Sequence, residues 1–166
     1  MNIPAIETTG LQMKYDNVLA VNGIDLKVER GEIFGLVGPD GAGKTTTMQV
    51  LCTLNPPTAG KSMIFGRDTV KQAEWIKENI GYMSERFNLY PTLTVEENLD
   101  FFARLRNIPH GLSEQRKKEL LSFCRLEPFK SRQAEYLSGG MKKKLALACS
   151  LIHEPEVVFL DEPTTG

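Results

Sequence analysis

No stretch of this 166-residue chain is long and apolar enough to cross a membrane, and no apolar leader precedes its first polar residues. The chain therefore reads as neither secreted nor membrane-spanning, and any membrane role is expected to be that of a peripheral partner. Charge of one sign is also missing. Twenty Lys and Arg face 21 Asp and Glu, a net charge of −1, so no strong field draws the protein to nucleic acid or an anionic surface. The local clusters Arg116-Lys117-Lys118 and Lys142-Lys143-Lys144 fall on predicted helices and read as solvated faces. Cysteine is sparse: Cys52, Cys124 and Cys149, an odd set with no C-x-x-C spacing, point to a reducing compartment and away from disulfides or zinc. Internal repeats, low-complexity tracts and long linkers are lacking too. The length suits one domain with a single core.

What is present is Gly38-Pro39-Asp40-Gly41-Ala42-Gly43-Lys44-Thr45, which fits G-x-x-x-x-G-K-[ST]. The five apolar or small residues before it, 33–37, read as a strand buried on both faces. After it, Met48, Val50, Leu51 and Leu54 recur at helical spacing. That strand–loop–helix context is the one a phosphate-cradling P-loop requires. Glycines allow positive φ and bring N–H groups close to phosphate oxygens, while the helix N-terminus adds its positive dipole end. Lys44 can reach the β- and γ-phosphates, and the Thr45 hydroxyl, followed by Thr46, can ligate Mg²⁺.

Upstream, residues 6–15 and the alternation Ile24, Leu26, Val28 read as strands, the second half-buried and antiparallel. Tyr15 ends the first, either as a flat face for an adenine ring or as an aromatic lid on the core. Downstream, Pro56-Pro57 breaks the P-loop helix after Leu54. A short strand over 61–66, a helix over 73–79 packed through Trp75 and Ile76, and a strand over 80–83 follow. Thr94 and Glu97 form a capping box for a helix with Val95, Leu99, Phe102 and Arg106 on one stripe, flanked by Phe101 and Leu105 and ended by Pro109. Ser113 opens another, with Leu120, Leu121 and Phe123 as its apolar contacts, stopping before Pro128. Residues 86–136 thus form a helical block between the halves of an α/β pattern, 1–85 and 137–166.

In Leu137-Ser138-Gly139-Gly140-Met141, Ser138 is a good N-cap, with Met141, Leu145, Ala148 and Ile152 following at helical spacing. Two glycines in a first turn cost about 1 kcal/mol each relative to alanine. Their presence suits a helix end that needs bare N–H groups, a second phosphate site. Lastly, Val157-Val158-Phe159-Leu160 reads as a buried strand that delivers Asp161 and Glu162 at its C-terminal end, the Walker B arrangement. Asp161 would hold Mg²⁺ and Glu162 would orient or deprotonate an attacking water.

In this order, the three motifs resemble the ATP-binding domain of an ABC transporter, over nearly the whole chain. Asp40, together with the stretch from Tyr90 to Leu99, is similar to bacterial drug-exporter ATPases of the ABC-2 type. The resemblance implies an α/β fold: a P-loop NTPase core with a mostly parallel sheet and flanking helices, an N-terminal antiparallel region and an inserted helical subdomain. It also implies a head-to-tail dimer with a second ATPase domain, sandwiching ATP and Mg²⁺. Tyr15 would stack on adenine, residues 38–45 would hold the phosphates, and Ser138 and Gly140, with Gly139 between them, would meet the γ-phosphate bound by the partner. The helical block would receive a transmembrane permease subunit, placing the protein in the cytoplasm on the inner face of the cell membrane, with no nucleic-acid partner. A soluble ABC-type ATPase acting on ribosomes or DNA is the alternative, as is a fragment that binds ATP without hydrolysing it.

Two departures from the family pattern stand out. The sequence ends at Thr164-Thr165-Gly166, before the D-loop and switch histidine, and neither His110 nor His153 follows Walker B. The C-terminal part of the core is therefore expected to be missing, leaving inner strand edges unpaired and the chain marginal unless another chain fills the gap. The other departure is Glu85, where the family has a glutamine that contacts the metal. A carboxylate can still ligate Mg²⁺, but it cannot donate a hydrogen bond and adds charge beside a polyanion. Glu85→Gln is expected to tighten ATP binding or change the turnover stimulated by a membrane partner; a variant unchanged in both would remove that role from Glu85.

Overall fold

The computed structural model describes residues 3–86 and 88–163. Residues 164–166, on which the expected break in the core bears, lie outside them. The chain divides into two compact units, Met1–Asn79 and Ile80–Gly166.

The first unit is built on a hairpin of β1 (Ile6–Tyr15) and β2 (Val18–Val28). To these are added β3 (Ala59–Ile64) and the two-residue β4 (Arg67–Asp68), giving an antiparallel sheet of order β2-β1-β3-β4. Helices α1 (Lys44–Leu51) and α2 (Ala73–Asn79) complete the unit. In β1 the buried residues change parity, from Ile6 and Thr8 to Leu11 and Met13. A strand with strict period two cannot do that. The register slips between Thr8 and Leu11, where Gly10 has φ +56°, so a bulge moves the second half of the apolar set onto the core face. Leu11 and Met13 then pack with Val21 and Val50. In α2, Ile76 is fully buried, while Trp75 is half-buried with the Arg67 guanidinium 3.9 Å above its ring.

Residues 33–37 do not form the expected buried strand. They have no strand pairing, and Ile33 and Val37 are almost completely exposed. An apolar run becomes a buried strand only when neighbours take up its N–H and C=O groups, and no strand of the described residues does so here.

The second unit pairs β5 (Ile80–Met83) in parallel with β6 (Val157–Leu160) and adds α3 (Val95–Leu105), α4 (His110–Phe123) and α5 (Gly139–Leu151). This pair is the parallel component of the fold among the described residues. β6 is buried only at Phe159; Val158 and Leu160 are exposed, a correction to the strand expected to be buried throughout. The core joins Val95, Leu99 and Ala103 of α3 to Leu121 of α4 and to Leu145, Ala148 and Cys149 of α5. All three cysteines are buried, as core packing requires. Leu105 and Phe123, expected to pack inward, are exposed instead.

Fully buried Asn98 accepts from the Tyr90 N–H (2.9 Å) and shares its two Nδ2 hydrogens among the carbonyls of Tyr90, Leu93 and Thr94, pinning the loop before α3. The capping box of Thr94 and Glu97 is present in both directions. By contrast, only Lys118 of the cluster at 116–118 is exposed. Lys117 is buried between Asp100 (2.5 Å) and Glu114 (2.7 Å), and Arg116 pairs with Glu154. Burial alone would lower the Lys117 pKa, but the two carboxylates outweigh it and hold it above 10.5.

Three helices end alike, and each earlier than proline positions suggest. At the end of α1, Thr53 N–H bonds to Val50 O and Leu54 N–H to Gln49 O; Asn107 and Ile108 close α3, and Arg125 and Leu126 close α4, in the same way. This is the Schellman pattern, with its left-handed residue at Thr53 (φ +62°), Asn107 and Arg125 rather than at glycine. Thr53 is the costliest of the three because it is β-branched, and its Oγ1 is buried without a hydrogen-bond partner.

Thr53→Gly should therefore stabilise the chain by about 1 kcal/mol, the relief of strain exceeding the glycine's added unfolded-state entropy, as read from urea unfolding. A second prediction concerns His153, whose Nε2 lies 2.9 Å from the Ile80 carbonyl and must carry the proton, leaving Nδ1 buried and unpartnered. Burial first, and then the charge of Arg106, hold its pKa below 6.5 against that hydrogen bond. Above pH 6.5 the ring is neutral folded and unfolded; below it the unfolded chain takes up the proton first, so stability falls with pH. His153→Gln keeps a donor for Ile80 and should lose less stability than the wild type between pH 7 and about pH 5.

Candidate functional site

In the first unit, residues 38–45 lead into α1, which begins at Lys44 with Gly43 as its N-cap. Gly41 and Gly43 have φ of +78° and +83°, and Ala42 N–H closes a turn on Pro39 O at 3.2 Å. Gly43 is fixed by more than its dihedral: a Cβ there would lie 2.2 Å from the carbonyl oxygen of Ala20 on β2. The loop is thus seated on the hairpin at a point where no side chain fits. Lys44 Nζ donates to Gly38 O (2.7 Å) and Pro39 O (2.9 Å), which gathers the ammonium over the loop. Thr47 is buried, and its hydroxyl donates to Gly43 O at 2.9 Å, locking the first turn. Gly38 through Ala42 are exposed, with Thr45 and Thr46 half-buried behind them. Thus the exposed loop backbone, a tethered cation and a helix N-terminus share one corner, a combination suited to a phosphate chain.

Tyr15 lies on the same hairpin, paired with Val18, two residues before Ala20. Tyr15 is 41% exposed, and its hydroxyl accepts a hydrogen bond from Asn55 Nδ2 at 3.1 Å.

The remaining predicted residues belong to the second unit. The parallel register places Met83 beside Leu160, so Glu85 and the pair Asp161–Glu162 follow adjacent strand ends. Asp161 N–H continues the ladder to Met83 O (2.9 Å); its carboxylate is buried, with Tyr82 Oη 3.4 Å from Oδ2. Glu162 is half-buried and left-handed at φ +51°, and its carbonyl accepts from Lys143 Nζ of α5 at 3.5 Å. Glu85 is exposed. Ser138 caps α5 by accepting from Met141 N–H at 3.3 Å, as expected. A Cβ added at Gly139 or Gly140 would meet no atom within 4 Å. The chain's own packing therefore does not demand these glycines.

The motif residues therefore form two groups, Tyr15 with 38–46 in one unit and Glu85, Ser138–Gly140, Asp161 and Glu162 in the other. Among the described residues no cluster of three or more His, Cys, Asp or Glu is poised to hold a metal by itself. Sequence reasoning missed Ala20, Asn55, Tyr82 and Lys143. These act through backbone approach or through single contacts between distant positions, and they leave no periodic signal.

The ABC transporter family model matches residues 21–165. The chain is 40% identical over 161 residues to the probable multidrug ABC transporter ATP-binding protein YbhF of Escherichia coli (strain K12), covering 97% of this chain and 28% of that protein. It is 41% identical to the daunorubicin resistance ATP-binding protein DrrA3 of Streptomyces coeruleorubidus and 39% identical to the Nod factor export ATP-binding protein I of Ralstonia nicotianae (strain ATCC BAA-1114 / GMI1000). Each match covers 98% of this chain, and the chain spans 51% of either relative. Among solved structures, an ATP-binding subunit of an ABC transporter superposes with a TM-score of 0.87 at 31% identity, over 96% of this chain and 67% of that one. A dimeric ATP-binding cassette in a post-hydrolysis state, bound to ADP and Pi, gives 0.86 at 26% identity, over 96% and 74%. With the P-loop seated on its hairpin, the capped Ser-Gly-Gly helix and paired acids at a parallel strand end, these matches show that the chain belongs to the ABC transporter family and has the α/β fold of its ATP-binding domains.

Proposed function

We propose that this chain binds ATP with Mg²⁺ and carries the hydrolytic residues of an ABC-type exporter ATPase. The observation that carries the reading is the P-loop corner itself: an exposed turn with two positive-φ glycines, Lys44 held across it, and Gly43 in a position that excludes any side chain. Residues 38–46 would hold the phosphates, with Lys44 as their counter-charge, while Tyr15 faces the base. Thr45, Asp161 and Glu85 offer the oxygen ligands that Mg²⁺ prefers, and a bound Mg²⁺ would neutralise charge on the phosphates. Glu162 would orient the attacking water and accept its proton, so that catalysis is mainly positioning and charge stabilisation.

Ser138, Gly139 and Gly140 then serve a second ATPase domain, arranged head to tail, by contacting the γ-phosphate that it binds. Their exposure and lack of any intrachain reason for glycine support this, and the solved dimer with ADP and Pi is a relative of the same fold. In this reading 1–85 and 137–166 form the nucleotide-binding core, and 86–136 form the helical subdomain that meets a transmembrane permease. Among the described residues no helix is long and apolar enough to cross a membrane. A peripheral place on the cytoplasmic face of the membrane follows for a subunit that consumes ATP and relies on another chain to span the bilayer. The named relatives, which include multidrug, daunorubicin-resistance and Nod factor proteins, favour export over a ribosomal or DNA-directed role.

Two substitutions separate binding from chemistry, assayed with the permease partner present. Lys44→Ala should weaken ATP binding by roughly tenfold or more, the loss of a charge-assisted contact. Glu162→Gln should bind ATP normally yet release phosphate about 100-fold more slowly or less. Wild-type ATP affinity in Lys44→Ala would sink the assignment.

A further inference from the structure

Asn55 belongs to none of the motifs, yet it links Tyr15 to α1, the helix that starts at the phosphate loop. The turn that carries it is fixed on each side. Before it, Leu54 N–H closes the end of α1 on Gln49 O at 2.9 Å. After it, the backbone is stiffened by Pro56 and Pro57, and Thr58 is fastened to β1. Its N–H and hydroxyl both donate to Gln12 O, at 2.9 and 3.1 Å, while its hydroxyl accepts from Lys14 N–H at 3.2 Å. From this held position Asn55 Nδ2 donates to Tyr15 Oη at 3.1 Å and to Gln49 Oε1 on α1 at 3.2 Å. An amide nitrogen has two hydrogens, so both bonds can be made at once.

The consequence lies with Tyr15. Tyr15 stands at the end of a strand, 41% exposed, and an aromatic in that position is otherwise free to swing into solvent. Tethering the hydroxyl restricts the ring, and the Gln49 bond refers it to α1, whose N-terminus is the phosphate loop. We infer that Asn55 is a positioning residue that holds the Tyr15 ring ready for the base by tying it to α1. This rests on the reading of Tyr15 as the adenine-stacking residue. Its effect belongs to preorganisation: a ring already held loses less freedom when a base stacks on it.

The test compares ATP with inorganic tripolyphosphate, which occupies the loop but has no base, by calorimetric titration of the chain. Asn55→Ala should weaken ATP about three- to tenfold and leave tripolyphosphate unchanged. Tyr15→Phe, which keeps the ring but loses the tether, should match it, and adding Asn55→Ala to Tyr15→Phe should cost nothing more. Tripolyphosphate also reports folding, so equal weakening of both ligands by Asn55→Ala would mark a merely structural role and overturn the inference. Tyr15→Ala separates the two levels. If it weakens ATP while Asn55→Ala does not, the adenine reading stands and the positioning role falls. If Tyr15→Ala spares ATP, or the unmodified chain binds neither ligand, both fall.

Discussion

The contact on which the nucleotide corner depends is an approach of backbone to backbone, Gly43 against the carbonyl of Ala20. A single methyl group at Gly43 would reach 2.2 Å from that oxygen, so the loop and the hairpin would have to separate. Everything useful in the first unit is referenced to this point. α1 starts there, Lys44 follows it, and Tyr15 stands on the same hairpin. The bulge at Gly10 contributes from further off by returning Leu11 and Met13 to the core face, where they meet Val21 and Val50. A packed hairpin is what gives the loop something rigid to rest on.

The second unit solves a different problem, that of delivering paired acids at a strand end and an exposed, amide-rich helix end from one core. Parallel pairing of β5 and β6 fixes where Asp161 leaves the sheet, and burial of its carboxylate beside Tyr82 holds it there. α5 runs from the exposed glycines into the centre of the core, so the same helix presents Gly139 and Gly140 outside and buries Leu145, Ala148 and Cys149 inside. The Lys117 ion pairs and the Asn98 bonds serve this core by tying α4 and the loop before α3 to α3 itself. They are structural, and they occupy side chains that composition alone would assign to the surface.

The motifs were legible in the sequence because they are short and local. Gly43, Lys44 and Thr45 are adjacent, Ser138 caps its own helix, and Asp161 and Glu162 end their own strand. Element interiors were legible for the same reason, since periodicity acts over a few residues. Helix ends were not. Proline at 56, 109 and 128 gave the outer limit of each helix, but Thr53, Asn107 and Arg125 turned the chain first, in a motif that usually announces itself with glycine. The basic cluster at 116–118 failed in another way at Lys117, because Asp100, the carboxylate that ties it to α3, lies seventeen residues away.

Sequence by itself determined the motifs, their order and the α/β alternation, since all of these are written in neighbouring residues. Tertiary structure alone decided which apolar runs are buried. Residues 33–37 carry the composition of an inner strand and yet stand exposed, because burial belongs to a strand's partners and not to its own side chains. It also decided that Asn55 meets Tyr15 across forty residues, a contact set by how β1, α1 and the turn between α1 and β3 pack, with no trace in the spacing of either residue.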